Sequence, residues 1–590
     1  MVETIIVFLP TTNKELNALG WTQLDVILFS GDAYVDHPSF GTAVIARILE
    51  AEGLKVAVVP QPNWRDDLRD FKKLGKPRLF FGVSAGCMDS MVNRYTANKR
   101  LRSDDAYTPE GRAGYRPDRA THVYCQILKD IYPDTPIIIG GIEASLRRFT
   151  HYDYWDDCIH PSILSDSKAD LLITGMGEKP LQTLVRRLLN GESFDSIKDI
   201  PQTAYLSDPQ DIEIELASHE VCLKSKKSQA ENFKIFEEQS NLYCQTSRIG
   251  QRIGDKMVIA NPSYPHLTTE ELDSIYDLPY TRLPHPRYKG KTIPAYEMIK
   301  YSVTIHRGCF GGCSFCTISA HQGKFISSRS EQSILKEVEK ITQDANFKGY
   351  VSDLGGPSAN MYNIHGKDIT ICQKCKRPSC LHPHICNNLQ TNHERLINLY
   401  RKASKIDGIK KICIGSGIRY DLATIDYLEE VVKHHVSGRL KVAPEHTNEA
   451  VLNLMRKPSF KFFETFDKEF ERINKESGLR QQLIPYFISS HPGCTAEQMA
   501  ELASKTKRMH FQLEQVQDFT PTPMTLSTEM YYTGLNPYTL EKVYTAKTLA
   551  LKLEQRSFFF WYKPEERAAI IRKLKQMNRN DLIQALYGNK

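Results

Sequence analysis

At 590 residues the chain has the length of two or three domains, each with room for a sizeable core. Its 41% hydrophobic and 25% charged residues are those of a soluble globular protein, and its net charge of +7 permits an anionic partner such as RNA without arguing for one. No stretch approaches the roughly 20 apolar residues that span a bilayer, which excludes a transmembrane helix.

The start, "MVETIIVFLPTTNKELNALGW", lacks a basic leader, and its apolar run is shorter than a signal-peptide core. "LYGNK" at the other end carries no prenylation signal. A cytoplasmic location follows as the expectation, and there the 14 cysteines do not form a disulfide framework.

Over roughly the first 206 residues, short apolar runs alternate with helical patterns. "LDVILF" precedes the helix-like "SFGTAVIARILEAEG", then come "KVAVVP", "RLFFGVSAG", "TPIIIGG", "ADLLITGMG" and the amphipathic "EKPLQTLVRRLLNG". β-Branched strands alternating with helices predict a doubly wound parallel sheet. Gly31, Gly82, Gly140, Gly141 and Gly175 lie just past strand ends, where such sheets bind ligands. From 207 to 294 a charged helical stretch and the proline-rich "DLPYTRLPHPRYKGKTIPAYE" read as a connector.

A second βα series begins near residue 295 and runs to about 520. Its predicted strands are "YSVTIH", "GYVSDLG", "KICIGSG", "RLKVAPE", "QQLIPYFISS" and "LEQVQDF", with helical patterns between them. Six strands with crossover helices predict a barrel-like arrangement, whose chemistry collects in the loops after the strands. Residues 521–590 read as a helical C-terminal extension.

The loop after the first of these strands is "CFGGCSFC", placing Cys309, Cys313 and Cys316 close enough to bind one compact cluster. Protein-bound 4Fe–4S clusters usually take four thiolates, so three leave one iron open to a small chelating molecule. Zinc is the competing metal, although structural zinc asks for four ligands, usually in C-x2-C pairs.

This C-x3-C-x-aromatic-C segment resembles the signature of the radical SAM superfamily. The resemblance implies a 4Fe–4S cluster on Cys309, Cys313 and Cys316, with Phe315 against the adenine of S-adenosylmethionine (SAM). It also implies reductive cleavage of SAM to a 5′-deoxyadenosyl radical, and a one-electron reductant of flavodoxin or ferredoxin type. Gly355 and Gly356 of "LGGPSANMY" resemble the segment that meets the SAM amino group, although Pro357 stands where many members carry glutamate. Ser416, Arg419 and Asp421 of "GSGIRYD" and Glu445 of "APEHT" are the remaining SAM-binding candidates. No side chain is singled out as an acid, base or nucleophile.

Between the second and third strands, within 361–392, "CQKCKRPSCLHPHICNNLQTNHERL" adds Cys372, Cys375, Cys380 and Cys386, near His382, His384 and His393. An iron–sulfur cluster, zinc or a purely structural role would each suit these four thiols. Together with "GIRYD", "KVAPEHT", "LIPYFISSHPGCT" and "QVQDFTPTPMTLSTEMYYTGLNP", the insertion is similar to the YgiQ family of radical SAM proteins over almost the whole chain.

"IIIGGIEA" with "ADLLITGMGE" resembles the cobalamin-binding-type domain that precedes many radical SAM barrels. The cobalt-ligating pattern D-x-H-x-x-G is met only in shifted spacing by Asp36, His37 and Gly41, so cobalamin is not expected as a cofactor. Glu143 and Glu178 would line the same crevice, and the basic run from Asn93 to Ala120 would face an anionic substrate or solvent.

The sequence thus predicts an α/β protein in which a cobalamin-binding-like Rossmann domain (1–206) precedes a partial (β/α)6 radical SAM barrel. The alternative is a zinc-stabilised binding protein, possibly RNA-binding, without radical chemistry.

Overall fold

The computed structural model describes residues 8–588. The leading residues 1–7, on which part of the no-leader expectation rests, and the final two lie outside the described residues. The chain divides into two compact units, one reaching to Ser302 and including 320–323, the other comprising 303–319 and 324 onward.

The first unit is built on one nine-stranded sheet. Its strands are β1 (Val26–Ser30), β2 (Val56–Pro60), β3 (Phe80–Ser84), β4 (Ile137–Ile139), β5 (Leu171–Ile173), β6 (Thr203–Ser207), β7 (Ile214–Leu216), β8 (Ile249–Ile253) and β9 (Lys256–Ala260). They lie in the order β7-β8-β9-β6-β5-β4-β3-β1-β2. The run from β2 to β5 is parallel, with Val26 opposite both Val56 and Phe80 and Ile137 opposite Phe81. β1 and β2 are buried at every position, as expected of a parallel sheet covered on both faces. Helices such as α1 (Gly41–Ala51), α2 (Ala120–Ile131) and α3 (Glu178–Leu189) make the crossovers.

Beyond β5 the sheet turns antiparallel through β6, β9 and β8, and three of its strands come from the segment read as a connector. "IEIEL" alternates with period 2, the signature of a half-buried strand, and supplies β7. β8 and β9 close as a hairpin across Gly254 and Asp255, with Ile253 opposite Lys256.

The second unit opens within β10 (Ser302–Thr304). It continues through β11 (Tyr350–Val351), β12 (Asp353–Gly355), β13 (Lys411–Ile412), β14 (Arg439–Glu445), β15 (Gln482–Ser489) and β16 (Gln515–Asp518). β10 pairs with β12, β11 pairs with β13, and β14, β15 and β16 form a parallel sheet in chain order. A bridge from Ile418 to Val442 joins the third segment to the fourth.

The intervening helices show why these residues coil. α4 (Phe460–Glu476), capped by Ser459, buries Phe460, Phe463, Phe466, Phe470 and Ile473 along one stripe at helical spacing. α5 (Ala496–Arg508) opens on a capping box, in which the Gln498 N–H donates to Thr495 Oγ1 while the Thr495 N–H donates to Gln498 Oε1 at 2.8 Å. Among the described residues, no helix is long and apolar enough to cross a membrane.

Candidate functional site

The loop carrying Cys309, Cys313 and Cys316 is held by backbone bonds rather than by regular structure. Cys316 N donates to Cys313 O at 3.1 Å, Ser314 N to Met455 O at 3.0 Å, and Ser527 N to Ser314 O at 2.9 Å. Gly312 has φ +58°, and a Cβ there would lie 2.5 Å from Pro378 O, so the insertion presses directly on this turn.

The three thiols are half-buried. Burial, then the neighbouring Cys313, pushes Cys309 up to about 11; burial, then Cys313 and Cys309, pushes Cys316 up to about 12. At Cys309 and Cys316 no positive charge outweighs burial and the neighbouring sulfur, so each thiol is held in its neutral form. A bound iron centre supplies that charge and deprotonates its ligand thiols, so the donor set fits one.

Arg419 and Glu445 are brought to this loop. Arg419 Nη1 lies 3.4 Å from Cys313 Sγ, while its Nε and Nη2 grip Asp421 at 2.9 and 2.7 Å. Burial pushes the Asp421 carboxyl up, but Arg419 outweighs it and holds the group below the usual carboxylate range. Glu445 sits in the left-handed region at φ +68°, a strained position for a residue with a side chain. Burial raises it to about 7 against the pull of Lys457, whose Nζ is 3.8 Å away, and its charge reaches Cys316.

Other candidates are placed differently. Ser416 Oγ donates to Asp353 in a short bond, and Asp353 Oδ1 also accepts from Gly415 N at 2.8 Å and Ser416 N at 3.1 Å. Asp353, absent from the sequence candidates, thus fixes the loop after β13 and occupies the Ser416 hydroxyl. Gly355 lies beside the same pair, and Gly356 packs on the ring of His306, which a Cβ would meet at 2.5 Å. His306 is fully buried with both ring nitrogens lacking a hydrogen-bond partner. Phe315 meets His491 edge-on, with ring centroids 6.0 Å apart.

The second thiol group is joined to the first loop through backbone. Cys380 N donates to Phe310 O at 3.0 Å and Ser379 Oγ to Gly311 O at 2.7 Å. Cys309, Cys380 and Cys386 pack against one apolar cluster containing Phe310 and Leu381. His393 is drawn away, its Nε2 3.2 Å from Asn360 O and its ring stacked on Tyr427.

In the first unit several candidates are spent on structure. Asp36 is ion-paired to Arg47 at 2.5 Å, and His37 is buried, with Nδ1 accepting from Ser39 N at 3.1 Å. Glu143 accepts from the Ser90 and Thr121 N–H groups, capping two helices. In the basic run, Arg116 pairs with Asp32 at 2.6 Å. The sequence reading missed Asp156, Cys158 and His160, the single set of three donors among the described residues whose ligand atoms lie within 4.8 Å of one another. Alternation along the strand Cys158–His160 was its signal, although Arg119 Nη2 already holds Asp156 at 2.5 Å.

A family profile described as Radical SAM N-terminal matches residues 8–302, and one described as Domain of unknown function (DUF3362) matches residues 514–588. The chain is 63% identical to a UPF0313 protein of Bacteroides thetaiotaomicron, covering 99% of this chain and 98% of the relative. It is 45% identical to the UPF0313 protein YgiQ of Escherichia coli, covering 98% and 87%.

Among solved structures, the radical S-adenosylmethionine methyltransferase TsrM of Kitasatospora setae, with cobalamin and a 4Fe-4S cluster bound, is 14% identical. It has a TM-score of 0.49 and covers 86% of this chain and 74% of its own. The cobalamin-dependent radical enzyme OxsB, with aqua-cobalamin bound, is 12% identical, with a TM-score of 0.47 and coverage of 88% and 56%. The expectation that cobalamin is not a cofactor is corrected by these two structures. Both carry it. On the relatives and the family profile, the chain belongs to the UPF0313 family, with YgiQ, and is a radical SAM enzyme.

Proposed function

We propose that Cys309, Cys313 and Cys316 hold a 4Fe–4S cluster, that SAM binds at the iron left without a thiolate, and that the enzyme cleaves SAM reductively to act on a substrate still to be identified. The observation that carries this reading is the trio itself: three thiols within eight residues on one loop after β10, with Cys309 and Cys316 held neutral by burial and by their neighbouring sulfurs. When bound, such a centre supplies the electron that splits the sulfonium into methionine and a 5′-deoxyadenosyl radical able to abstract hydrogen. The electron comes from a flavodoxin- or ferredoxin-type donor in the cytoplasm, and residues 295–520 form the partial (β/α)6 barrel.

The chain's own residues bind and orient. Arg419, clamped by Asp421, sets a fixed positive charge beside Cys313. Asp353 holds the Gly415–Ser416 backbone, which leaves the 355–356 and 415–416 turns as rigid rims for the SAM amino acid and ribose. Phe315 offers an apolar face to adenine. Glu445, with Lys457, provides a buried carboxyl at the end of β14.

Anaerobically reconstituted wild type should contain iron and acid-labile sulfide in equal amounts and release 5′-deoxyadenosine from SAM on reduction. Cys313→Ala should release none. A wild type that is colourless, or iron-loaded yet inert toward SAM, overturns the reading, and zinc without iron points to the binding-protein alternative.

A further inference from the structure

We propose that Cys372, Cys375, Cys380 and Cys386 hold a second iron–sulfur cluster, ligated wholly by the chain. This goes beyond the cluster on Cys309, Cys313 and Cys316 and does not depend on it.

The first argument is how little else holds the insertion together. From Gly366 to Leu389 its single regular element is the five-residue helix Ile369–Gln373, and Ile369 and Ile371 on it are exposed. Segments without a core of their own are commonly fixed by a metal centre, whose binding free energy is folding free energy. The backbone nevertheless closes upon the thiols. A bridge from Gly366 to Leu389 ties the two ends. Asn388 Nδ2 donates to Asp368 O at 2.8 Å and reaches Cys372 Sγ at 3.4 Å. Cys375 N donates to Cys372 O at 3.1 Å, and Cys386 N to Cys380 O at 2.8 Å.

The second argument is charge. Lys324 is 2% exposed, and its Nζ has one hydrogen bond, to Arg377 O at 2.7 Å, with no carboxylate paired to it among the described residues. The Nε of Arg377 is also buried without a partner. A buried ammonium is costly unless an anion faces it. Arg377, whose carbonyl Lys324 binds, stands in the chain between Cys375 and Cys380. Four thiolates around a metal centre carry net negative charge and complete the pair.

The third argument selects the metal. Tetrahedral zinc, with Zn–S bonds of about 2.3 Å, draws its sulfurs to roughly 4 Å from one another. No three of these four sulfurs lie within 4.8 Å of one another, whereas Asp156, Cys158 and His160 do. A four-iron cluster takes one thiolate per iron and does not ask its sulfurs to approach that closely. All four donors are soft thiols, and the ring of His393 is stacked away from them on Tyr427. Four thiolates leave no iron open, so this centre does not chelate SAM.

The full-length chain carrying Cys309→Ala, Cys313→Ala and Cys316→Ala, prepared anaerobically, tests the proposal directly. It should retain about four iron and four sulfide, and its reduced EPR signal should be unmoved by SAM. Zinc in place of iron, or no metal at all, overturns the proposal. Should that variant fail to fold, wild type decides alone, holding about eight iron rather than four. Cys380→Ala with Cys386→Ala should keep about four iron whose signal shifts with SAM. Loss of that remaining iron counts against the first cluster and leaves the second standing on the triple variant.

Discussion

Arg419 shows how one side chain can serve both the fold and the site. It is 7% exposed, bound in a fork to Asp421, and 3.4 Å from Cys313 Sγ, a ligand of the proposed cluster. Removing one member of a buried ion pair typically costs about 3–5 kcal/mol, because the other charge is left without compensation. Asp421→Asn should therefore cost about that much in metal-free protein. In cluster-loaded protein the loss should be smaller, since the centre then offers Arg419 a second anion. Guanidinium unfolding of both forms checks this, and an equal loss in the two would show that Arg419 is insulated from the cluster site.

At the scale of elements, the junction between the trio loop and the insertion is a backbone contact. Gly312 stands at φ +58° with Pro378 O where a Cβ would be. Gly312→Ala adds both left-handed strain and a clash against backbone, which cannot swing away, for a cost of about 1–3 kcal/mol. Because Cys380 and Ser379 are bonded to Phe310 and Gly311, the damage should extend to both thiol groups. Anaerobic metal analysis should then show iron lost beyond the trio's share. Loss confined to the trio would mean the insertion is held independently.

The same elements show what the sequence discloses. The two thiol groups were legible because their spacing is local, within eight and fifteen residues. The five parallel strands announced themselves as apolar runs. Arg419 beside Cys313 is a contact across 106 positions, and Asp353 beneath Ser416 one across 63. No periodicity encodes such partners; the turns that bring strand ends together create them. β7 was obscured because "IEIEL" is short and runs straight into a charged helical stretch.

Across the whole molecule, buried histidines set the response to acid. His306, His446 and His491 are each fully buried, and burial lowers each to about 3 from a model-peptide value near 6.5. Between those values the unfolded chain takes up a proton at each site that the folded chain refuses. Stability therefore falls as pH falls through that window, by about 1.4 kcal/mol per pH unit for each histidine. Glu445, raised by burial to about 7, and Asp467, raised by burial to about 6, act in the opposite sense, since folded protein holds their protons more tightly. A wild-type pH profile mixes these contributions, whereas a difference isolates one of them. His446 accepts from Asn448 N at 3.0 Å through Nδ1, a bond that the side-chain carbonyl of glutamine can accept in its place. Between pH 6 and 5, wild type should lose about 1.2 kcal/mol more stability than His446→Gln. Parallel profiles for the two proteins would mean that His446 is protonated in the fold, and that its site opens to water well before global unfolding.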